Sequence, residues 1–383
     1  MGKTIVPPRR VLSKVFLLFG VALVFFAGFL AGGAYELNRQ QLNLSEFWQV
    51  YSVVDKEFVG QIDKKKAVDG VTRGFIDSLG DPFSSFLSSE ERNTLSEELS
   101  GEFEGIGARL ETKNDAITVV APLSGSPAEK AGMKPNDIIL TIDGESTEKM
   151  TLDQAVSKIR GKAGTEVTLS IFRQGKDVPL ELKVNREAIS IPSVTWKMMG
   201  TVAYMEIAQF GDDTIELAQK GFAELNAKNP TAFIMDLRNN PGGYLDDVAP
   251  IAGAFLPPSV ITTQKFKFKK SEDVRSTQVP TFPNTKLLVL VNEGSASAAE
   301  ILAGALQDYG RAQIIGQKTF GKGSVQDIIP LGKGNSLRLT VAEWLTPKGR
   351  SVNKEGIKPD VLVEGEVTAT SDPALDKALE LAR

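Results

Sequence analysis

The chain has 383 residues, of which 42% are hydrophobic and 24% charged, and its formal net charge is −4. This composition is typical of a globular protein of two or three domains, and the charge excludes a broadly basic nucleic-acid-binding surface. The chain contains neither cysteine nor histidine. Disulfides, thiolate nucleophiles, Ser-His-Asp triads and HExxH zinc sites are therefore excluded. Carboxylates, lysine, tyrosine and backbone groups remain for acid–base chemistry.

An uncharged apolar run, residues 15–34, follows a basic N-terminal segment. About 20 apolar residues suffice to cross a bilayer as a helix, and preceding basic residues keep that end in the cytoplasm. We therefore expect residues 1–14 to be cytoplasmic, residues 15–34 to form a transmembrane signal anchor, and the rest to lie on the periplasmic or cell-surface side. A cleaved secretory signal ending near Gly32 and Ala34 is the alternative.

Residues 43–100 place apolar side chains at helical spacing, and "GDPFSSF" interrupts the pattern, so we predict a helical domain there. Residues 186–365 alternate buried strands with amphipathic helices, which predicts an α/β core. The tail, residues 366–383, predicts a short C-terminal helix. The predicted fold class is mixed α/β.

Residues 101–185 change to short β runs with one helical stretch, "TLDQAVSKI". The segments "GIGARL" and "SPAEKAGMKPNDIILTIDGE" resemble a PDZ domain. That resemblance implies that a peptide adds as an extra strand and that a glycine-rich loop binds its terminal carboxylate. Asn136 stands where the family usually has glycine, and asparagine tolerates the left-handed conformation of such a turn. The alternative is a β module that uses these glycines only as turns. The matching loop residues are Gly105, Ile106, Gly107 and Ala108.

A candidate nucleophile lies in "VNEGSASAAEILAGAL", residues 291–306, where a buried strand, a tight turn and a helix follow one another. Nucleophilic serines occupy such strand-to-helix corners. The stretch "SAAE" also fits a capping box, with Ser297 as N-cap and Glu300 reaching back. That structural role by itself explains many such matches.

A candidate base lies in "IIGQKTFGKGSVQ", where Lys322 stands between two glycines and can approach another backbone closely. Its ordinary pKa of about 10.4 has to fall by about three pH units to leave the amine largely neutral near pH 7. Burial achieves this at a cost of roughly 4 to 5 kcal/mol. Without histidine, a Ser-Lys dyad is the available route to an activated serine. The stretch also approaches a P-loop, but Gly323 replaces the Mg²⁺-binding hydroxyl and a strand is predicted next.

The stretch "DLRNNPGGYLD", residues 236–246, predicts a strand end and a Gly-Gly turn with exposed backbone N–H groups. Such groups, together with the Ala298 N–H at the helix start, can stabilise an oxyanion. The alternative is a plain β-turn. Asp246 and Asp247 are too few ligands for a metal site, so we predict neither metal nor cofactor.

These three stretches, with "LRLTVAEWLTPKGRSVNKEGIKPDV", closely resemble the C-terminal processing peptidases, also called tail-specific proteases. The likeness covers nearly everything after the apolar run and implies a crotonase/Clp-protease-like α/β core. It implies Ser297, the second serine of Ser-Ala-Ser, as nucleophile, Lys322 as base and Gln326 as the residue that orients the lysine. Even spacing on a strand would place Gln326 and Lys322 on one face.

The resemblance further implies an oxyanion hole made by Ala298 and one of Gly242 or Gly243. It implies that the PDZ domain gates access, that Arg160 senses bound peptide, and that a homodimer forms through the helical ends. Ala299 replaces a serine that is frequent in the family. That position is not the nucleophile, so we expect activity to be kept.

The sequence thus predicts a membrane-anchored serine endopeptidase that captures accessible, apolar C-termini of proteins and cleaves nearby, with no nucleic-acid partner. Two other classes stay open: a PDZ scaffold or chaperone with an inactive core, and a phosphate-binding protein. A lone S-x-x-K at Ser351 to Lys354 lacks the companion motifs of penicillin-binding enzymes and is attributed to chance. The predicted divisions are 1–14, 15–34, 43–100, 101–185, 186–365 and 366–383.

Overall fold

The computed structural model describes residues 42–123, 125–365, 367–368 and 371–383. The chain divides into two compact units, residues 1–71 and residues 72–383. The helix α1 (Ser45–Glu57) buries none of its residues, and α2 (Lys64–Asp77) begins in the first unit and ends in the second. Within the described ranges, no helix is both long and apolar enough to span a membrane. The predicted transmembrane run lies outside the described residues.

The second unit opens with the end of α2, the short strand β1 (Ser85–Leu87) and the helix α3 (Ser89–Ser100). A capping box starts α3: the Glu91 side chain accepts the Ser88 N–H over 2.8 Å, and the Ser88 hydroxyl accepts the Glu91 N–H over 3.3 Å. Gly101 ends the helix in the left-handed conformation with a φ of 67°. The strand β1 was not predicted, because its pairing with a strand some 250 residues later leaves no local pattern.

A β-rich domain with its own apolar core follows α3. Its central strand β7 (Glu166–Phe172) buries Val167, Leu169 and Ile171 completely, because alternate side chains of a strand point to one face. The helix α5 (Leu152–Ile159) packs against the same core. The other elements are β2 (Glu102–Gly105), β3 (Ala108–Lys113), β4 (Ala116–Pro122), α4 (Pro127–Lys130), β5 (Ile138–Ile142), β6 (Glu145–Ser146), β8 (Leu180–Asn185) and β9 (Glu187–Ser190).

The sheet of this domain runs in the order β3-β4-β5-β7-β8, with β6 beside β5, while β2 pairs with β9. Asn136 has a φ of 64°, so asparagine takes the left-handed turn position as expected. The next residue, Asp137, is buried and accepts two hydrogen bonds of 2.7 Å from the Arg173 guanidinium. This bidentate ion pair between Arg173 and Asp137 fixes the turn that leads into β5.

The core of the second unit is a sheet in the order β10-β11-β12-β15-β16-β19, parallel except for β10 at its edge. Every residue of β12 is buried because helices cover both faces of the sheet. The helices α6, α7 and α8 pack on one face, and α9 packs on the other. The bounds are β10 (Val194–Met199), β11 (Val202–Ile207), α6 (Thr214–Asn226), β12 (Ala232–Asp236), a 3₁₀ turn (Leu245–Asp247), α7 (Val248–Gly253), β15 (Lys286–Val291), α8 (Ala298–Asp308), β16 (Ala312–Gly316), β19 (Val361–Leu362) and α9 (Pro373–Leu381).

A second, antiparallel sheet runs in the order β1-β18-β13-β14, and β17 also pairs with β18. Trp344 of β18 is fully buried, and its Nε1 donates to the Lys322 carbonyl oxygen over 2.9 Å. This bond ties the loop before β17 to the core. The β13–β14 hairpin was not predicted from the sequence. The bounds are β13 (Ser259–Phe266), β14 (Glu272–Ser276), β17 (Ser324–Pro330) and β18 (Ser336–Leu345).

Arg238, directly after β12, holds the C-terminal helix α9 in place. Its guanidinium contacts Asp236 and Asp372, each at a shortest N–O distance of 2.6 Å. The Tyr204 hydroxyl donates to Asp236 over 2.8 Å. Burial opposes the charge of Asp372, but the hydrogen bonds from Arg238 and the Leu375 N–H hold the pKa of this carboxyl below its usual value. Removing one partner from such a buried group leaves a charge without compensation.

We expect Arg238→Met to lower the free energy of unfolding by about 3 kcal/mol, because Asp236 would stay buried without its cation. Urea unfolding of the full chain, followed by tryptophan fluorescence, measures the change. The matched control is Arg275→Met, since the Arg275–Asp273 pair is exposed and spans 3.6 Å. That substitution should cost less than about 1 kcal/mol. Equal costs for the two variants would contradict the proposed role of Arg238.

Candidate active site

The candidate nucleophile Ser297 lies at the predicted corner between β15 and α8. Its backbone has a φ of 53° and a ψ of −115°, a combination that is costly for any residue other than glycine. The buried Ser295 supports the turn, since its hydroxyl donates to the Leu237 carbonyl over 2.7 Å and accepts the Asn292 N–H over 3.0 Å. These two hydrogen bonds stabilise the strained backbone at Ser297. The Ser297 residue lines an open cleft.

The Glu300 carboxylate, fully buried in the first turn of α8, joins the serine corner to the lysine loop. One oxygen accepts the Ser297 N–H and the Lys322 N–H, each over 2.9 Å. The other accepts the Gly321 N–H over 2.7 Å and the Thr319 hydroxyl over 2.6 Å. The capping box predicted the first of these bonds. The other three depend on a loop about 20 residues further along the chain, so the sequence pattern gave no sign of them.

The loop that carries Lys322 is pressed against the backbone of residues 353–356. A Cβ atom at Gly321 would lie 3.0 Å from the Lys354 carbonyl carbon, and one at Gly323 would lie 2.6 Å from the Asn353 Cβ. Glycines on both sides of Lys322 permit this close approach, as their positions in the sequence predicted.

The Lys322 ammonium lies over the ring of Phe83, 5.1 Å from its centroid. Burial and the nearby Arg338 guanidinium lower the pKa of Lys322, while the charges of Glu300 and Asp81 act in the opposite direction. The net direction agrees with the requirement for a neutral lysine. Burial and the Arg338 charge thus favour loss of the Lys322 proton relative to a lysine in water, whereas the contact with the Phe83 ring favours the ammonium form.

Lys322 and Gln326 line the cleft with Ser297, but their side chains are not hydrogen-bonded to one another in the part of the chain that the structure describes. The Gln326 amide donates instead to the Ser324 hydroxyl over 2.9 Å and to the Thr340 hydroxyl over 3.1 Å. The expectation that a shared strand aligns Lys322 with Gln326 is wrong, because β17 begins only at Ser324. The three side chains therefore share one cleft without forming a continuous hydrogen-bonded chain.

The turn of Gly242 and Gly243 lies directly against the serine corner. A Cβ atom on Gly242, whose φ is 99°, would lie 2.7 Å from the Ser297 Cβ and 3.0 Å from the Ala298 nitrogen. The Gly242 N–H donates to the Asn240 side chain over 2.8 Å and is therefore occupied. No acceptor among the described residues binds the N–H of Gly243 or of Ala298. Of the two glycines, Gly243 is thus the one with a donor to offer to a ligand.

The cleft has a volume of about 510 Å³ and combines these polar groups with an apolar wall. Sequence reasoning missed the contributions of Phe83, Asp81 and Arg338, which come from "GDPFSSF" and from β18. The Arg338 side chain donates to the Phe83 carbonyl oxygen over 3.1 Å, so the two segments reach the site together. The interrupted helical pattern marked a turn, but only tertiary packing places it beside Lys322. The apolar wall consists of Leu95, Leu99, Leu245, Ile301, Val325 and Ile328.

A separate groove of about 420 Å³ in the β-rich domain is lined by all four predicted carboxylate-loop residues, 105–108, and by Arg160. The carbonyl oxygens of Ile106 and Gly107 accept the N–H groups of Ala128 and Leu123, each over 2.8 Å. Within the described contacts, the Ile106 and Gly107 N–H groups have no acceptor. The loop therefore presents free donors, as carboxylate binding requires.

Arg160 caps the C-terminus of helix α5 and lines both this groove and a smaller neighbouring cavity. Its guanidinium is 5.2 Å from the centroid of Phe103 and 3.4 Å from a Glu97 carboxylate oxygen on α3. A smaller cavity of about 240 Å³ shares Arg160 and Phe103 with the groove and shares Glu98 and Gln209 with the cleft. The three spaces thus follow one another along the protein.

Asp247 lies in the 3₁₀ turn after the two glycines. Burial and the charges of Asp246, Asp212 and Asp213 raise its pKa to about 6, and one of its oxygens has no partner in the described part of the chain. No group of three or more acidic side chains there is arranged to hold a metal ion.

We expect Glu300→Gln to reduce the free energy of unfolding by about 2 to 4 kcal/mol, because an amide NH₂ would face N–H donors that now share a carboxylate. Urea unfolding of the full chain measures this cost. The control is Glu293→Gln, an exposed position in the turn before Ser297, for which we expect a change below about 0.5 kcal/mol. An unaltered stability of Glu300→Gln would contradict the role of its carboxylate as a buried junction.

Three regions of the chain match known protein families. Residues 201–363 match peptidase family S41, and residues 118–173 match the PDZ domain. Residues 31–91 match the N-terminal domain of the activating protease CtpB. The matches follow one another in the order of the helices, the β-rich domain and the α/β core described above.

The chain is 38% identical over 358 residues to the carboxy-terminal-processing protease of Bartonella bacilliformis, covering 91% of this chain and 82% of the relative. It is 36% identical over 347 residues to a probable CtpA-like serine protease of Staphylococcus aureus. This match covers 90% of the chain and 69% of the relative. The solved photosystem II D1 C-terminal processing protease superposes with a TM-score of 0.52 at 28% identity, over 85% of this chain and 88% of that structure. The chain therefore belongs to the carboxy-terminal-processing proteases, PDZ-containing serine peptidases of family S41.

Proposed function

We propose that Ser297 is the nucleophile and Lys322 the general base of an endopeptidase that receives substrate C-termini through its PDZ groove. The observation that carries this proposal is the Glu300 carboxylate, which binds the backbone N–H groups of both residues over 2.9 Å each. Through one rigid group, it keeps the serine corner and the lysine loop adjacent at the cleft. The lowered pKa of Lys322 supports the same assignment.

The proposed reaction uses these groups in turn. Neutral Lys322 takes the Ser297 proton as the Ser297 Oγ attacks the scissile carbonyl carbon. The resulting oxyanion accepts hydrogen bonds from the N–H groups of Ala298 and Gly243, which have no acceptor among the described residues. Protonated Lys322 then delivers its proton to the leaving amine, and a water molecule activated by the same lysine hydrolyses the acyl-enzyme.

Catalysis requires two local rearrangements of the described state. The Lys322 amine has to leave the Phe83 ring and reach the Ser297 hydroxyl. The Gln326 amide oxygen, which accepts no hydrogen bond among the described contacts, has to accept one from the Lys322 amine, while the amide nitrogen can keep its bonds to Ser324 and Thr340. We infer that binding of substrate supplies the free energy for both moves.

The PDZ groove supports recognition of an apolar C-terminus. Its loop offers free N–H groups for a carboxylate, and its walls include Leu110, Leu123, Val156 and Ile159. The intermediate cavity beside Arg160 provides a route for the preceding residues of the peptide toward the cleft. A peptide bound at its terminus would thereby be cut at an upstream bond.

The location and assembly of the protein belong to the same proposal. The apolar run 15–34 supports a single-pass anchor that leaves the catalytic part on the extracytoplasmic side, with a cleaved signal as the alternative. A homodimer is supported by α1, whose Trp48, Val50 and Val53 side chains are each about 60% exposed, since apolar side chains of this kind mark contact surfaces.

We expect the full-length protein to cleave an unfolded model protein with an apolar C-terminus and to lose at least about 10³-fold of kcat/KM in Ser297→Ala and in Lys322→Ala. Amidation of the substrate tail should raise KM because the carboxylate loop loses its ligand. Charged residues in the tail should also raise KM because they would face the apolar walls of the groove. Gel-based product analysis and mass spectrometry measure the rates and the sites of cleavage.

Lys318→Ala is the matched control, because Lys318 is exposed in the same loop, and it should keep its activity. Cleavage that persists in Ser297→Ala would refute the assignment of the nucleophile. A wild-type protein that binds apolar tails without cleaving them would instead act as a PDZ scaffold. Stabilisation by nucleotide without cleavage would favour the phosphate-binding alternative.

The pH dependence of kcat/KM tests the base separately. The rate should rise with pH as Lys322 loses its proton, since the neutral amine is the active form. Arg338→Gln removes a cation that lowers the Lys322 pKa, so the rising limb should move to higher pH. Asp81→Asn removes an anion that raises this pKa, so the limb should move to lower pH. Shifts in one common direction would exclude Lys322 as the titrating base.

A further inference from the structure

The hairpin of β13 and β14 carries an unusual concentration of basic and aromatic residues at its tip. Residues 265–270 read "KFKFKK", which places four lysines within six positions of a chain whose net charge is −4. Residues 267–271 join the two strands and are exposed throughout. The charge is therefore a local feature and does not follow from the overall composition.

The tip is also apolar. Phe268 is 91% exposed, which makes it the most exposed aromatic side chain in the described part of the protein. The Lys267 ammonium lies 5.0 Å from its ring centroid, and the Lys269 ammonium lies 3.7 Å from that of Phe266. Basic side chains thus flank the rings and leave the outer face of Phe268 uncovered.

The acidic residues of the hairpin do not neutralise this charge. Glu272 pairs with Lys269 over 3.1 Å, and Asp273 pairs with Arg275 over 3.6 Å. Within the described contacts, no ion pair involves Lys267 or Lys270, and Lys265, although opposite Glu343 in the ladder, forms none. Five basic and two acidic side chains leave residues 265–275 with a net charge of +3.

We propose that this tip docks on an anionic phospholipid bilayer. The lysines would contact lipid phosphates, and Phe268 would enter the boundary between headgroups and acyl chains, as aromatic side chains do at membrane surfaces. A bilayer suits a single protruding ring because lipids can rearrange around it, whereas a globular partner would need a matching pocket. Charge and exposure carry this proposal, which does not depend on the assignment of the catalytic residues.

Docking would also orient the protease. In β13, Phe266 pairs with Ala342 of β18, and the same Ala342 pairs with Val325 of β17, which lines the cleft. The hairpin tip therefore continues directly from the sheet that forms one side of the active site. A hairpin held at the lipid surface would set the direction in which the cleft opens.

The absence of native cysteines permits a specific test, since a single introduced cysteine takes up one polarity-sensitive nitrobenzoxadiazole dye. The dye is placed at Ser271→Cys in the tip and, as the matched control, at Val178→Cys, a position 66% exposed on the β-rich domain. Full-length protein is reconstituted into vesicles of phosphatidylcholine, with or without phosphatidylglycerol. We expect a blue shift and a severalfold gain in emission at residue 271 only, only with phosphatidylglycerol, and lost in high salt.

Lys267→Gln combined with Lys270→Gln should abolish the signal at residue 271, and Phe268→Ala should reduce it, while both variants keep activity on a soluble substrate. An unchanged emission at residue 271 in phosphatidylglycerol vesicles would overturn the proposal, as would equal changes at residues 271 and 178. A response to soluble polyglutamate without a response to vesicles would assign the tip to an acidic protein partner instead. Loss of catalysis in Ser297→Ala leaves the dye signal unaffected, so the two proposals fail independently.

Discussion

The buried carboxylate of Glu300 is the interaction on which the geometry of the site depends. Four donors converge on it from two segments that are about 20 residues apart, and none of these donors is a cation. A buried carboxylate is stable only when its oxygens accept hydrogen bonds. If the lysine loop and the serine corner separated, the Glu300 carboxylate would lose its donors while it remained buried, which is costly. The strained backbone of Ser297 is maintained by the same constraint, because its N–H is one of the four donors.

The features that suit Lys322 to act as a base also explain the state in which the structure finds it. Burial and Arg338 lower its pKa, and the Phe83 ring gives the remaining cation a favourable contact. Cation–π contacts of this kind contribute from about 0.5 kcal/mol at exposed sites to about 2 kcal/mol when desolvated. The proposed activation exchanges this contact for a hydrogen bond to Ser297, an exchange small enough for a bound peptide to drive. Phe83, in the segment before β1, thereby brings the start of the second unit into contact with Lys322.

Recognition and chemistry occupy different elements that the chain brings into one line. The PDZ groove, the cavity beside Arg160 and the cleft share lining residues in succession, and the helix α3 contributes to the last two. The Arg160–Glu97 pair is exposed, so it contributes little to stability and can be broken at little cost. The basic hairpin lines none of these three spaces, and we propose for it a separate contact with a lipid surface.

The sequence by itself determined the order of the domains, most helices and strands of the α/β core, the serine corner and the close approach of the lysine loop. Each of these depends on local rules: apolar periodicity, a capping residue, or glycines where a side chain would collide. It also limited the chemistry available, because a chain without histidine or cysteine leaves carboxylates, lysine, tyrosine and backbone groups for acid–base roles. These inferences needed only neighbours in the chain.

Tertiary structure alone decided the rest. The three additional bonds of Glu300, the positions of Phe83 and Arg338 beside Lys322, and the choice of Gly243 over Gly242 as a donor depend on groups that meet only after folding. The alignment of Lys322 with Gln326 was wrongly expected because the strand begins two residues later than its pattern suggested. Hydrogen bonds between residues far apart in the sequence leave no periodic signal. Contacts that form only in the folded chain therefore cannot be predicted from local sequence patterns.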